Sequence, residues 1–253
     1  MIYLREFMPS QKKNILSHVY PYRQLAGRFA EPLEFAGITI LYGNNGAGKS
    51  TLLNLIAGKL GMEGEEQYPD YQSTIDQFIR ESTYYMGRDE RGLPFHLPEN
   101  SKYIKSEDVL YEVKKVESLE VTKEAYHLGD SAADRRELKR IRFNQDKYSN
   151  GEVALQIYER EFQPDGLYLL DEPEVSLSMQ NQTVLAEMIT RMTRFFSCQF
   201  IIATHSPVLI IGLEAVIYNL DLPVFRQASC CELENVRYLY DFFMKHRNKF
   251  ELP

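Results

Sequence analysis

Glycine-rich spacing stands out at residues 43–50, where the chain reads Gly-Asn-Asn-Gly-Ala-Gly-Lys-Ser. Its glycines allow the backbone to curl so that successive N–H groups point inward at an anion. Lys49 would reach the terminal phosphates of a nucleotide, and the Ser50 hydroxyl is of the kind that holds Mg²⁺. Because the segment matches GxxxxGK[ST] at every position, it predicts a phosphate-binding loop. The predicted phosphate ligands are Gly43, Asn44, Asn45, Gly46, Ala47, Gly48, Lys49, Ser50 and Thr51.

An acidic pair, Asp171-Glu172, follows four apolar residues that read as a buried strand. Open α/β sheets bind ligands at the carboxyl ends of their strands, which is where both carboxylates would emerge. Asp171 then suits the Mg²⁺ shell, and Glu172 suits orienting or deprotonating an attacking water. An acidic pair at a strand end is ordinarily just solvated, but beside a phosphate loop it predicts hydrolysis. Glu174 adds a third carboxylate, for which we expect a structural role.

Short β-like apolar runs alternate with longer helix-like ones along the chain, as in an α/β sheet. One buried strand, Ile38–Tyr42, leads directly into the glycine loop, and apolar residues at helical spacing follow Lys49. Two further strands are predicted at Phe200–Ala203 and Ala215–Tyr218. These elements predict an α/β fold with a mixed, mainly parallel sheet that presents the loop and the acidic pair at one edge.

The middle of the chain, residues 62–147, differs from what flanks it. Residues 62–100 show no clean period, and residues 102–147 are rich in charge and prefer helix. We therefore expect a single domain over residues 1–253, with a helical lobe inserted at 62–147. A last helix is expected to pack on the core through an apolar stripe that comprises Val236, Leu239, Tyr240 and Phe243.

Basic residues crowd one part of that segment, between Arg135 and Lys147. Such a run favours either contact with nucleic acid or a solvated helix face. Asp134, Glu137 and Asp146 interrupt it, and the chain carries a net charge of −7, which favours the solvated face. Binding of nucleic acid therefore stays open, without support from the net charge.

Composition bounds the class of protein. The 253 residues are 44% hydrophobic and 26% charged, as in an ordinary globular protein that can bury a core. No apolar run approaches the roughly 20 residues that cross a bilayer, and the first residues do not resemble a signal peptide. The three cysteines form no CxxC pair, which argues against a disulfide framework or a zinc site. We expect a cytoplasmic protein without direct membrane insertion.

Four motifs occur in an order that identifies a family: Gly43–Thr51, Ser149–Glu152, Leu170–Pro173 and Ala203–Pro207. Together they resemble an ABC-type P-loop ATPase, nearest to the soluble members of that class. Those members are the SMC and recombination-repair ATPases, OLD-like proteins and small bacterial predicted ATPases of the AAA family. The resemblance implies an ABC-type ATPase head that binds ATP and Mg²⁺ and hydrolyses ATP to ADP and phosphate.

The same resemblance gives roles to two more motifs. The Ser149–Glu152 segment corresponds to the signature that caps the γ-phosphate bound by the other subunit of a head-to-tail homodimer. The local sequence suits that role, because Ser149 is a good helix N-cap and Glu152 completes a capping box. His205 corresponds to the switch histidine that contacts the γ-phosphate. The signature residues are Ser149, Asn150, Gly151 and Glu152, and the implied catalytic set is Lys49, Glu172 and His205.

The sequence departs from the family pattern in three places. Its signature is Ser-Asn-Gly-Glu instead of Ser-Gly-Gly-Gln, which is typical of relatives that are not transporters. The glutamine that completes the metal site has no clear counterpart, and an aromatic residue that stacks on adenine is also unassigned. Tyr20 and Tyr22 are candidates for the aromatic residue. The candidates for the glutamine are Gln67, Gln72 and Gln77, with Ser106–Asp108 as a substitute.

Positions 49 and 149 are only 100 residues apart, which excludes the long coiled-coil arms of chromosome-organising proteins. We expect an ATP-driven dimeric switch that acts on a separate effector protein in DNA repair or anti-phage (antiviral) defence. The alternative is an ATP-binding subunit that energises a membrane transporter; the altered signature and the missing glutamine argue against it. A third reading, an ATP-sensing scaffold without turnover, is opposed by Glu172.

Overall fold

The structure, a computed structural model, describes residues 1–12, 18–117 and 150–250. Its strands are β1 (Leu4–Met8), β2 (Leu33–Glu34), β3 (Ile38–Tyr42), β4 (Thr83–Met86), β5 (Lys102–Lys105), β6 (Leu167–Asp171), β7 (Gln199–Thr204), β8 (Val216–Asn219) and β9 (Arg226–Gln227). Its helices are α1 (Tyr22–Leu25), α2 (Lys49–Leu60), α3 (Gln72–Glu81), α4 (Ser106–Glu117), α5 (Asn150–Glu161), α6 (Met179–Phe195), α7 (Pro207–Gly212) and α8 (Glu234–Lys245), with short 3-10 helices at Cys230–Glu232 and Arg247–Lys249.

The larger sheet has the order β5-β6-β7-β3-β8-β9 among the described residues. It is parallel except for β9, which runs antiparallel to β8. Every side chain of β3, β6 and β7 is buried, as expected of parallel strands that helices cover on both faces. Leu41 and Asp171 both pair with Ala203, so the carboxyl ends of these three strands meet at one edge. The predicted α/β fold with a mixed, mainly parallel sheet is confirmed.

A second, antiparallel sheet has the order β2-β1-β4. The buried side chain of Gln199, at the start of β7, joins it to the larger sheet. The Gln199 carbonyl oxygen accepts hydrogen bonds from the backbone N–H groups of Tyr3 and Leu4, at 2.8 and 2.9 Å. Its amide nitrogen donates to the carbonyl oxygens of Leu4 and Ala36. One glutamine thus satisfies four backbone groups that would otherwise be buried without partners.

Helices cover both faces of the larger sheet. On one face, α5, α6 and α7 pack over Tyr168 and Phe200, whose rings stack with centroids 5.3 Å apart. On the other face lies α2, with Leu52, Leu53 and Ile56 completely buried. Each of these side chains contributes roughly 1.5–3 kcal/mol by leaving water, which fixes α2 under the sheet. The helix therefore holds the glycine loop against the strand ends.

The expected helical lobe at 62–147 needs correction in its described part. Residues 62–117 contain two helices, α3 and α4, but they also supply β4 to the antiparallel sheet and β5 to the larger one. Apolar side chains that lack a helical period are explained by this strand content. The remaining residues of the expected lobe, with the basic run from Arg135 to Lys147, lie outside the described part of the chain.

The last helix, α8, packs on the core only at its beginning. Val236 is buried and Leu239 is partly buried, whereas Tyr240 and Phe243 expose 60% and 46% of their surface. The expected packing of the whole apolar stripe is therefore wrong for its second half, because α8 runs past the edge of the core. In the described ranges, no helix combines the length and apolar character needed to cross a membrane.

Candidate active site

The glycine loop, residues 43–48, joins the end of β3 to the start of α2. Gly46 and Gly48 have φ angles of +85° and +101°, in a region that glycine adopts far more readily than other residues. A Cβ at Gly43 would lie 2.7 Å from the Cβ of Ala47, so the loop closes tightly there. A Cβ at Gly46 would meet no heavy atom within 4 Å. The loop therefore has an open side near the N-terminus of α2, where anions are stabilised.

Lys49, the first residue of α2, lies across this loop. Its ammonium group donates to the carbonyl oxygen of Gly43 at 2.8 Å and to that of Asn44 at 3.4 Å. Only 3% of the side chain is exposed, and Nζ lies 3.3 Å from Oε1 of Glu172. A buried ammonium needs a nearby negative charge, and Glu172 supplies it. The structure thus brings the predicted lysine and the predicted base together.

Two residues that the sequence analysis missed hold the loop from outside. Asp221 accepts hydrogen bonds from the backbone and side-chain nitrogens of Asn44, at 2.8 and 3.1 Å. Arg28 donates to the carbonyl oxygens of Leu220 and Leu222 and, at 3.4 Å, to that of Ala47. Asp221 follows β8 by two residues, so the strand-end rule used for Asp171 is a signal that could have found it. Nothing in the sequence around Arg28 points to the loop.

Asp171, the last residue of β6, is buried with one oxygen free of protein partners. Oδ2 accepts a hydrogen bond from the Tyr103 hydroxyl at 3.1 Å, whereas Oδ1 is buried with no partner. Burial raises the pKa of Asp171, and the nearby hydroxyls of Ser50 and Tyr103 offset this only in part. A hard divalent cation takes such oxygens as ligands, so Ser50 and Asp171 fit a shared Mg²⁺. No cluster of three or more His, Cys, Asp or Glu residues suited to a metal occurs in the described residues.

Glu172 directly follows Asp171 and turns the chain sharply. Its φ angle is +47°, in the left-handed region, and its N–H donates to the carbonyl oxygen of Ala203 at 2.9 Å. The side chain is 28% exposed, and its Oε1 lies 3.7 Å from Nδ1 of His205. Glu172 therefore lies between Lys49 and His205, within reach of solvent. Lys49, Asp171, Glu172 and His205 are assembled at one edge of the sheet, as the sequence predicts for strand ends.

The described part of the signature segment begins α5. Ser149 is outside the described residues, and Asn150 begins α5 with its side chain exposed. A Cβ at Gly151 would lie 2.6 Å from Nδ2 of Asn181 and 3.2 Å from the carbonyl oxygen of Ser176. A larger residue would displace the Asn181 amide and crowd the Ser176 carbonyl, because this turn packs against the start of α6. Glu152 is exposed in the first turn of α5.

The candidates for the missing glutamine separate into two groups. Gln72 and Gln77 lie on α3, where their amides donate to Asp76 and Glu81, one turn further along the same helix. Gln67 is exposed in the turn before that helix. Ser106–Asp108, in contrast, begins α4 directly after β5, and Lys105 of β5 pairs with Asp171. The substitute segment is therefore the candidate at the correct edge of the sheet.

The two candidate aromatic residues also differ. Tyr22 is 1% exposed, contacts Phe78 edge to face and donates to Glu81, so it belongs to the core and cannot stack on a base. Tyr20 lies near the hydroxyl of Thr51, which follows the glycine loop. Burial raises its pKa. Its ring lies 5.5 and 5.9 Å from those of Tyr68 and Tyr71, and the three line a cavity of about 430 Å³.

Two protein-family models match parts of this sequence. A family model described as "ABC transporter" matches residues 33–175, more than half of the chain, and one described as "AAA ATPase domain" matches residues 141–210. The first span includes the glycine loop and the acidic pair. No curated protein matches the sequence.

Solved structures similar to this one have low sequence identity. The SMC head domain from Thermotoga maritima is 13% identical, with 90% of this chain and 99% of that chain covered and a TM-score of 0.44. CbiO1 from Clostridium perfringens, part of an ABC transporter complex, is 14% identical, with 96% and 95% covered and a TM-score of 0.47. The Smc head domain bound to the C-terminal domain of ScpA from Pyrococcus furiosus is 13% identical, with 98% and 100% covered and a TM-score of 0.43.

Proposed function

The chain belongs to the ABC transporter family and is an ATPase, and on that premise we propose that it works as an ATP-driven dimeric switch for a separate partner. The observation that carries the proposal is the buried, unpartnered Oδ1 of Asp171 beside Lys49 and Glu172. Buried acceptors are rarely left without a partner unless a ligand supplies one. The glycine loop, Lys49 and Thr51 would bind the phosphates of ATP.

Each residue assembled at this edge of the sheet would have its own role in hydrolysis. Lys49 would neutralise the β- and γ-phosphates, for which it must exchange part of its contact with Glu172. Ser50 and Asp171 would hold Mg²⁺, which neutralises the charge that develops on the phosphate oxygens. Glu172, partly exposed, would orient the attacking water and accept its proton. His205, 3.7 Å from Glu172, would contact the γ-phosphate from the end of β7.

The base of the nucleotide would enter the cavity lined by Tyr20, Tyr68 and Tyr71. The proximity of Tyr20 to Thr51 supports this, because it places the cavity beside the residue that follows the phosphate loop. Aromatic faces stack on purines without demanding a particular hydrogen-bond pattern. Tyr20 is therefore the aromatic residue that we propose to stack on adenine.

A homodimer would complete each site. Ser149, Asn150, Gly151 and Glu152 would cap the γ-phosphate held by the opposite subunit. The exposed start of α5 supports this, since Asn150 and Glu152 are accessible to a second chain. Closure of two subunits around two ATP molecules, and release after hydrolysis, would give the switch its two states.

We propose a separate effector protein in DNA repair or anti-phage defence, because the signature differs from that of transporters. The alternative, an ATP-binding subunit of a membrane transporter, is favoured by the description of the family model that matches. Affinity purification of the tagged chain separates the two: a nuclease or other effector supports the first, and a membrane permease supports the second.

The dimer is tested by the solution mass of Glu172→Gln, which should bind ATP without turning it over. Light scattering with Mg·ATP should show a shift from monomer to dimer. Ser149→Arg in the same background should abolish the shift and leave ATP binding intact. A mass that Mg·ATP leaves unchanged, although the nucleotide is bound, would contradict an ATP-driven homodimer.

A further inference from the structure

We propose that Glu174 is a positioning residue that orients the imidazole of His205 toward the nucleotide. The inference rests on the proposed hydrolysis of ATP at this site and adds a residue for which the sequence predicted only a structural role. Glu174 lies three residues after Asp171 and, unlike Glu172, is almost completely buried, with 7% of its side chain exposed.

A single oxygen of Glu174 binds the segment that carries His205. Its Oε1 accepts hydrogen bonds from the Thr204 hydroxyl at 2.6 Å and from the backbone N–H of His205 at 3.1 Å. The same oxygen lies 3.5 Å from Nδ1 of His205. Three groups from two consecutive residues therefore converge on one carboxylate oxygen.

Two atoms at this contact are buried and lack a hydrogen-bond partner: Oε2 of Glu174 and Nδ1 of His205. They belong to the two side chains that already approach each other, so a small movement of either one can pair them. A hydrogen bond from Nδ1–H of His205 to the carboxylate would satisfy both groups. No comparable movement is needed for Thr204, which is already bonded.

Burial of Glu174 as an acid also needs a reason. A carboxylate costs much more to bury than an amide, and a glutamine could accept the bonds from Thr204 and from the backbone equally well. The charged and titratable groups around it are Glu172, His205 and Tyr158, whose pKa is raised by burial and then by the charge of Glu174. Of these, His205 brings a ring nitrogen within 3.5 Å of the carboxylate and can donate a hydrogen bond to it.

The orientation that results leaves one ring nitrogen of His205 for chemistry. Although 42% of the side chain is exposed, Nδ1 is buried, so the exposed part of the ring includes the Nε2 side. Glu172, the other carboxylate near Nδ1, is 3.7 Å away and is already paired with Lys49. Glu172 therefore pairs with Lys49 and is left to act on the attacking water, whereas Glu174 orients His205.

A double-mutant cycle tests this division of roles. The ATPase kcat and the KM for ATP are measured for wild type, Glu174→Ala, His205→Ala and the double variant. Each single change should lower kcat about tenfold or more with KM nearly unchanged, because a misplaced contact affects the reacting geometry more than binding. Glu174→Ala should have no further effect once His205 is alanine.

Conservative and matched variants keep the test independent of folding. Glu174→Gln retains an acceptor for Thr204 and for the backbone, and its kcat should lie between those of wild type and Glu174→Ala. Gln182→Ala is the matched control, because Gln182 holds the same loop through Ser206 and does not contact His205. Its kcat should stay near that of wild type.

The outcomes separate the two levels of the proposal. A wild-type chain that does not hydrolyse ATP would contradict the proposed function itself. If His205→Ala hydrolyses ATP at the wild-type rate, the proposed role of His205 fails and this inference fails with it. If His205→Ala is slow but Glu174→Ala is unaffected, or lowers kcat equally with and without His205, only the positioning role of Glu174 is overturned. Equal losses in Glu174→Ala and His205→Ala, without further loss in the double variant, support it.

Discussion

Asp171 is buried and Glu81 is mostly buried, with 9% of its side chain exposed, but the surroundings of these two carboxylates are opposite. Burial alone would raise the pKa of Glu81, yet hydrogen bonds from Ser10, Gln77 and Tyr22 and the charge of Lys12 lower it to about 2. The Ser10 and Tyr22 hydroxyls donate to its Oε2 at 2.6 and 2.9 Å. Glu81 therefore joins the segment after β1, α1 and α3 through satisfied contacts.

Asp171 is held by fewer donors than its burial demands. Burial raises its pKa, Ser50 and Tyr103 offset only part of the effect, and Oδ1 has no partner. Nearby, Oε2 of Glu174 and Nδ1 of His205 are also buried without a partner, and a small movement would pair these two with each other. The satisfied contacts of Glu81 thus stabilise the fold, whereas the unsatisfied oxygen of Asp171 lies where a ligand should bind.

The largest effect is expected from removing the ammonium group of Lys49. Lys49→Ala removes the only ammonium that contacts the loop among the described residues, so ATP affinity should fall about 100-fold or more. Lys59→Ala is the matched control, since Lys59 lies on the same helix but donates to Ile79. Isothermal titration with ATP measures both. Similar affinities for the two variants would contradict the role of Lys49.

Neutralising Asp171 should separate activity from stability. Asp171→Asn removes a charge that burial disfavours, so the free energy of unfolding without nucleotide should change by less than about 1 kcal/mol. Mg²⁺-dependent ATP hydrolysis should fall at least about 100-fold, because the metal loses its carboxylate. Urea unfolding and a phosphate-release assay measure the two quantities. A large loss of stability would show that Asp171 is structural after all.

Neutralising Glu81 should lower the stability of the fold and leave ATP hydrolysis nearly unchanged. Its lowered pKa means that it stabilises the fold above pH 4.5 and that this contribution is lost as the pH falls toward 2. Glu81→Gln should therefore lower the free energy of unfolding by about 1–3 kcal/mol at pH 7 and by much less at pH 3. ATP turnover by the folded variant should remain near that of wild type. An equal loss of stability at both pH values would rule out the charge as the cause.

The smallest effect is expected outside the loop. Asp221→Ala frees both nitrogens of Asn44, so the loop must be ordered on binding and ATP affinity should fall about three- to tenfold. Glu214, an exposed carboxylate paired with Arg194, supplies the control Glu214→Ala. Both affinities are read from the same titration. An Asp221→Ala variant that binds as the control does would show that the loop keeps its shape without Asp221.

The sequence predicted those parts of the site that lie within short segments of the chain. The glycine loop, the acidic pair and His205 each follow a buried strand, and parallel strands carry such residues to one edge. What it did not predict depends on which strands are neighbours. Tyr103 reaches Asp171 only because β5 lies beside β6, and Asp221 reaches the loop only because β8 lies beside β3.

Two errors have the same physical origin. Tyr22 was a candidate for stacking on a base because of its type, but packing against Phe78 places it in the core. The lobe expected at 62–147 rests on missing periodicity at 62–100 and on charge and helical preference at 102–147, and neither pattern reveals the short strands β4 and β5 in its described part. Contacts between residues far apart in the sequence determine both the burial of Tyr22 and the pairing of these strands. A local sequence pattern does not contain that information.

The central claim, that Glu172 drives ATP hydrolysis at this site, is tested most directly by comparing turnover and binding in one variant. ATP hydrolysis and ATP affinity are measured for wild type and for Glu172→Gln at saturating Mg²⁺. The account predicts measurable turnover by wild type and at least about 100-fold less by Glu172→Gln, with affinity nearly unchanged, because the amide cannot accept the proton of the water. Wild-type turnover in Glu172→Gln would contradict it.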